Sequence, residues 1–173
     1  IISGGDIVTM NPTRDVLIGG SVVITDDIIT AVGSTSELMA NHPGAEVVDA
    51  SGCVVTPGMV NAHQHFTGDP LVRSCIPDLL EPGVSIFGWS VPLHSEHTDA
   101  DDEVSAMVLA VESLQNGVTT VVEAGTVAHP ASVARGMQRC GLRGTIGTWG
   151  WDIEVGPFVG TVDEVLDRQR AVL

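Results

Sequence analysis

"TPGMVNAHQHF", residues 56–66, decides how this chain is read. A Pro-Gly pair opens an apolar run, and the run ends in two histidines one residue apart. Histidine is the commonest side-chain metal ligand and the usual acid–base near neutral pH. The bare pair carries little weight, because 6 histidines in 173 residues give roughly 0.2 such pairs by chance. The setting carries more. "VVTPGMVNAH" reads as a strand buried on both faces, as in a parallel sheet. Side chains alternate along a strand, so His63 and His65 point to one side at its carboxyl end, with Gln64 turned away to pack. In barrels and open α/β sheets that end carries the chemistry. Two imidazoles there, about 6.6 Å apart along the backbone, can converge on one ion. Catalytic zinc usually takes three protein ligands, so the pair would be part of a site.

After residue 56 strands alternate with helices. In "DADDEVSAMVLAVESLQNG", Val104, Met107, Val108, Val111 and Leu114 mark one apolar helix face. Acids crowd its first turn and Asn116-Gly117 stops it. "VTTVVEAG" is a second strand. "PASVARGMQRCG" is a second helix between Pro130 and Gly141. "LRGTIGTWGW" is a third strand, and Thr161 to Glu164 fits a capping box opening a third helix. This β-α order marks an α/β fold with a parallel sheet and crossover helices. A barrel of eight such units needs about 250 residues, so residues 56–173 hold the first three or so. Residues 1–55 read as short strands and turns, with "VVITDDIITAV" a hairpin around Asp26-Asp27. The start at Ile1 and the unstopped helical pattern at the end suggest a truncated chain. The rest of the barrel is then expected from its own or a second chain, and residues 1–173 alone are expected to be inactive.

The net charge is −15, from 7 basic residues, all arginine, against 22 acids. Phosphate backbones and anionic membrane surfaces need basic clusters, so neither nucleic acid nor membrane is an expected partner. No apolar run approaches the roughly 20 residues that span a bilayer. Cys53, Cys75 and Cys140 are odd in number and widely spaced, which fits neither a disulfide framework nor a CxxC site. A reducing, cytoplasmic setting is expected.

"PGMVNAHQHF" resembles the Pro-Gly-hydrophobic-(Ile/Val)-(Asn/Asp)-x-His-x-His motif of the amidohydrolase superfamily. "GGSVVITDDIITAVG" is similar to that family's small β-sandwich subdomain. "ESLQNGVTTVVEAG" is similar to the second barrel strand of its deaminase-like and triazine-hydrolase-like members. The resemblance covers essentially the whole chain, most strongly residues 16–66 and 104–126. It implies the N-terminal part of a (β/α)8 barrel preceded by sandwich strands, with His63 and His65 as the first two metal ligands. The implied ion is divalent, zinc first, with iron, manganese, cobalt or nickel as alternatives. The implied enzyme is a hydrolase that directs a metal-activated water at a C–N bond (amide, amidine, or ring amino or halide) of a small neutral molecule, a deaminase or a relative of one, and a homo-oligomer. Two alternatives stand beside it: a dinuclear amidase or dihydroorotase-like enzyme, and a truncated chain without catalysis. The family's remaining ligands, two histidines and an aspartate from later strands, and its glutamate acid–base fall outside residues 1–173. Two departures bear on the match. Asp26-Asp27 replaces a Gly-containing turn, and Arg73 lies eight residues past His65 where relatives often place an arginine at seven.

Other residues have two readings each. Glu123, ending the second strand, is a catalytic-face acid or a helix-start acid. Strand-end loops roof the pocket of a barrel. Here these are residues 66–98 and 148–160, which hold Arg73 and every aromatic side chain: Phe66, Phe87, Trp89, Trp149, Trp151 and Phe158. Trp89, Trp149 and Trp151 either pack or wall a site for a ring or alkyl substrate. Without lysine, these loops suit polyanions poorly. His94, His97 and His129, in the loops after the first two strands, either line the pocket or sit at the solvated surface, the surface being the expectation. Asp69 in "TGDP" is expected in a turn, and "HTDADDE" is expected to be a solvated helix start. Cys75 is expected to be buried or inert.

Overall fold

The computed structural model describes residues 1–68, 70, 73, 75–154 and 156–172. Asp69 lies outside the described residues. The chain divides into two compact units, Ile1–Pro57 and Gly58–Leu173.

The first unit is one mixed sheet in the order β3-β2-β1-β4, with β5 also paired to β1. Its strands are β1 (Ile2–Val8), β2 (Val16–Thr25), β3 (Ile28–Ser34), β4 (Val48–Asp49) and β5 (Val54–Val55). The expected hairpin forms: β2 and β3 run antiparallel with Thr25 opposite Ile28. Asp26 turns the chain at φ 55°, a left-handed conformation that aspartate tolerates better than most residues. Helix α1 (Thr35–Asn41) buries Leu38 against Ile1 and Val23.

The second unit carries the histidine pair. Strands β6 (Met59–Gln64), β7 (Val118–Glu123) and β8 (Arg143–Thr145) form a parallel sheet in sequence order. Between β6 and β7 lie a helical run, α2, and helix α3 (Asp99–Gln115). The run α2 comprises Pro82–Ser85, a wider π-helical turn Ile86–Ser90, and Val91–Ser95. Helix α4 (Pro130–Cys140) connects β7 to β8, and α5 (Val162–Arg170) follows β8. The ends obey local rules. Gly117 and Gly141 leave α3 and α4 at φ 77°, and capping boxes at Thr98–Asp101 and Thr161–Glu164 open α3 and α5. The core packs Phe66, Leu109, Val121, Val127, Val133 and Met137 between the sheet and the helices. Each such side chain contributes about 1.5–3 kcal/mol by leaving water. Among the described residues no helix is long and apolar enough to cross a membrane.

Three expectations need correction. The buried face of α3 is Asp102, Ser105, Ala106, Leu109, Ala110 and Ser113, while Val104, Val108 and Val111 are exposed. Small residues let α3 come close to its neighbours: a Cβ on Gly136 of α4 would sit 2.7 Å from the Glu103 carbonyl oxygen. Close approach of backbones, not side-chain bulk, selects this face. Strand β6 is not buried on both faces. Met59 and Val60, neighbours on opposite faces, are both exposed among the described residues, where β6 pairs with β7. Cys75 is exposed.

Candidate metal centre and adjoining cavity

Strand alternation does what the sequence implied for the pair. His63 ends β6 with Gln64, and His65 follows at once, so the two rings share a side. Their centroids lie 5.0 Å apart at 85°, and the two Nε2 atoms approach to 3.2 Å. A tetrahedral ion with metal–nitrogen bonds of about 2.05 Å holds neighbouring ligand nitrogens about 3.3 Å apart. The spacing of the pair matches two corners of such a shell. Among the described residues, no group of three or more His, Cys, Asp or Glu side chains is placed to hold a metal.

The chain around the pair is clamped by buried polar contacts. The Ser105 hydroxyl on α3 reaches the carbonyls of Phe66 and Thr67 at 3.1 and 3.0 Å, which fixes the exit from β6. His65 Nδ1 meets Thr126 Oγ1 at 2.9 Å. The same hydroxyl hydrogen-bonds Glu123 Oε1. Glu123 is 6% exposed, and its carboxylate also accepts from the backbone N–H groups of Gly125 (2.6 Å), Thr126 (3.0 Å) and Gly147 (3.2 Å). It binds the end of β7 to the loops after β7 and β8. Gly147 has to be glycine here: an added Cβ would lie 2.9 Å from Gly125 Cα.

Beside His65 opens a cavity of about 320 Å³, near the lower end of the range for small-ligand sites. Its wall includes His65, Thr126, His94, Ile86, Trp149 and Trp151. Trp149 is buried, stacks on Phe158 at 5.8 Å and meets Trp151 at 5.5 Å. Phe87 touches Trp151 at 5.9 Å. Arg73 reaches the cavity rim but pairs with Glu112 on α3 at 3.3 Å. Trp89 is not brought to the cavity and stays 38% exposed on the π-helical turn of α2.

Of the three histidines expected at the surface, His94 is buried, His97 is largely covered and His129 keeps a partly exposed ring. His94 is 4% exposed, and its Nδ1 hydrogen-bonds the Ser90 carbonyl at 2.6 Å. Burial pulls its pKa below the usual imidazole value, against the opposing effect of that hydrogen bond. His94 Nε2, Trp149 Nε1 and Trp151 Nε1 are buried with no hydrogen-bond partner. Such unmet groups are rare in native interiors. His97 Nδ1 pairs with Asp102, and His129 bonds both Asp99 and the His97 carbonyl. Asp102 itself is fully buried, so "HTDADDE" is only partly a solvated start.

No family model matches the chain. Curated proteins do. It is 31% identical over 147 residues to the 5-methylthioadenosine/S-adenosylhomocysteine deaminase of Acetivibrio thermocellus, covering 84% of this chain and 33% of that protein. It is 33% identical over 161 residues to the 5'-deoxyadenosine deaminase of Methanococcoides burtonii, covering 90% of this chain and 35% of that one. The chain belongs to the amidohydrolase superfamily. It spans about a third of the length of these relatives. Among solved structures, the zinc complex of atrazine chlorohydrolase from Arthrobacter aurescens TC1 superposes with a TM-score of 0.77 at 20% identity, over 99% of this chain and 42% of that one. An adenosine deaminase from Xanthomonas campestris with bound zinc gives 0.73 at 22%, over 99% and 38%. These likenesses speak for the fold alone.

Sequence reasoning missed Thr126 and Asp102. Thr126 touches a residue 61 positions away, and only its place three residues after a strand-end acid hints at it. For Asp102, the signal available was its phase on α3, on the same side as Ala106 and Leu109.

Proposed function

We propose that this amidohydrolase contributes the first two metal ligands and part of the substrate wall of a deaminase acting on a small neutral heterocycle, such as the adenine ring of a nucleoside. The observation that carries this is the 3.2 Å approach of His63 Nε2 and His65 Nε2 at the edge of a tryptophan-walled cavity. The deaminase relatives supply the reaction class. Bound there, a divalent ion, zinc first, would supply an acidified water and a Lewis acid for attack on a C–N carbon. His63 and His65 present ring lone pairs. Trp149 and Trp151 offer flat apolar surface and indole N–H donors, and neutral His94 offers an acceptor. With Arg73 paired to Glu112, the described wall lacks the several cations that a polyanion wants. Gly58–Leu173 is read as the first three βα units of a (β/α)8 barrel. Ile1–Pro57 is read as strands of the small sandwich subdomain.

The test uses the intact protein. Elemental analysis of the wild type should find zinc or another divalent ion, and His63→Ala and His65→Ala should lower metal content and ammonia release by orders of magnitude. Unchanged metal in both variants, or best turnover of phosphorylated substrates, overturns the proposal.

A further inference from the structure

Thr126 has one hydroxyl proton and two polar neighbours, His65 Nδ1 at 2.9 Å and the Glu123 carboxylate. Both carboxylate oxygens of Glu123 already accept backbone N–H groups, so in the pair with Thr126 the hydroxyl donates. Its proton thus points at Glu123, and towards His65 it can only accept. The ring nitrogen facing it has to be an N–H. From this we infer that Glu123, acting through Thr126, is a positioning residue that holds His65 as the Nδ1–H tautomer, with a bare lone pair on Nε2. That Nε2 is the atom 3.2 Å from His63 Nε2. The inference rests on the proposed metal role of the pair for its purpose, though not for its geometry.

The arrangement assigns three jobs. Gly125, Thr126 and Gly147 fix the carboxylate through their backbone N–H groups, the carboxylate orients the hydroxyl, and the hydroxyl orients the ring. Partners of this outer kind commonly change metal affinity about 10- to 100-fold when removed. It gives Glu123 a role apart from the catalytic-face and helix-start readings. The acid touches the ligand's orienting group and not the ligand or the cavity, so it acts at one remove.

The experiment reads the ring directly. In the metal-free intact protein, nitrogen-15 shifts of neutral His65, assigned by their loss in His65→Gln, should show a protonated Nδ1 and a bare Nε2. Thr126→Val, which keeps shape and removes the hydroxyl, should release the tautomer preference and weaken zinc binding about 10- to 100-fold by chelator competition. Thr126→Ser should restore both. A wild-type His65 protonated on Nε2 overturns the inference even if Thr126→Val does not fold. So does a Thr126→Val protein with unchanged tautomer and zinc affinity. A wild type that holds the Nδ1–H tautomer yet binds no divalent ion would uphold the inference and sink the metal reading.

Discussion

Three aspartates in the first turn of α3 look alike in sequence, yet their surroundings predict three different costs on replacement by alanine. Asp102 is fully buried. One oxygen takes His97 Nδ1 at 3.0 Å and the other takes the His129 backbone N–H at 2.9 Å. Asp102→Ala leaves both donors, each largely covered, without an acceptor, at about 1–3 kcal/mol each. The sum, about 2–6 kcal/mol, is a large share of the 5–15 kcal/mol that keeps a typical domain folded. Asp99, by contrast, is 75% exposed and pairs only with His129 at 3.0 Å. An exposed pair of that kind contributes at most about 0.5 kcal/mol after solvent screening. Asp101 closes the capping box with Thr98, whose hydrogen bonds hold its carboxyl below the usual range, and it ranks between the two. Urea unfolding followed by circular dichroism separates them. With a slope of about 2 kcal/mol per molar, Asp102→Ala should lower the midpoint by about 1–3 M and Asp99→Ala by no more than about 0.3 M. Asp102→Asn, which keeps one acceptor, should fall between these. If Asp102→Ala costs no more than Asp99→Ala, the buried pairing does not hold this turn and the reasoning fails.

Two further outcomes are expected. His94 has a folded-state pKa depressed below the ordinary 6.5 by burial, so the unfolded chain takes up that proton more readily. Its contribution is full above pH 6.5 and is lost as the pH falls from there through the folded-state value; a His94→Gln variant whose urea midpoint drops just as steeply towards about pH 5 would remove His94 from the account. In the cavity, Trp149→Phe should lower kcat/KM about tenfold, equal to about 1.4 kcal/mol, while Trp89→Phe stays within about twofold. Equal losses in steady-state kinetics would show that the cavity wall has been wrongly drawn.

The parts of the molecule written in local pattern could be read directly. The hairpin at Asp26-Asp27, the stop at Gly117, the capping box at Thr161 and the parallel order of β6, β7 and β8 follow from alternation, punctuation and spacing. The histidine pair was legible for the same reason, since period two places His63 and His65 on one side. What failed was anything decided by how closely two backbones approach. The valines of α3 made the louder apolar stripe, yet Gly136 and Ala106 bring the helices together on the quieter one. The surroundings of His94 escaped because Trp149, which packs against it, comes from the loop after β8; those of His97 and His129 escaped because Asp102 and Asp99 belong to a turn that looked solvated. The role of Glu123 was likewise hidden in contacts with residues 125, 126 and 147.

The aromatic wall has a practical consequence for anyone following this protein by light. The chain holds three tryptophans and no tyrosine. The ultraviolet emission of residues 1–173 therefore arises from indole, and two of the three emitters, Trp149 and Trp151, stand side by side in the cavity wall at 5.5 Å. Trp89, on the outer helical turn, is the background emitter. Within residues 1–173, Trp89→Phe leaves only the pair that borders the cavity, so the emission of these residues becomes a label-free gauge of whatever enters beside His65.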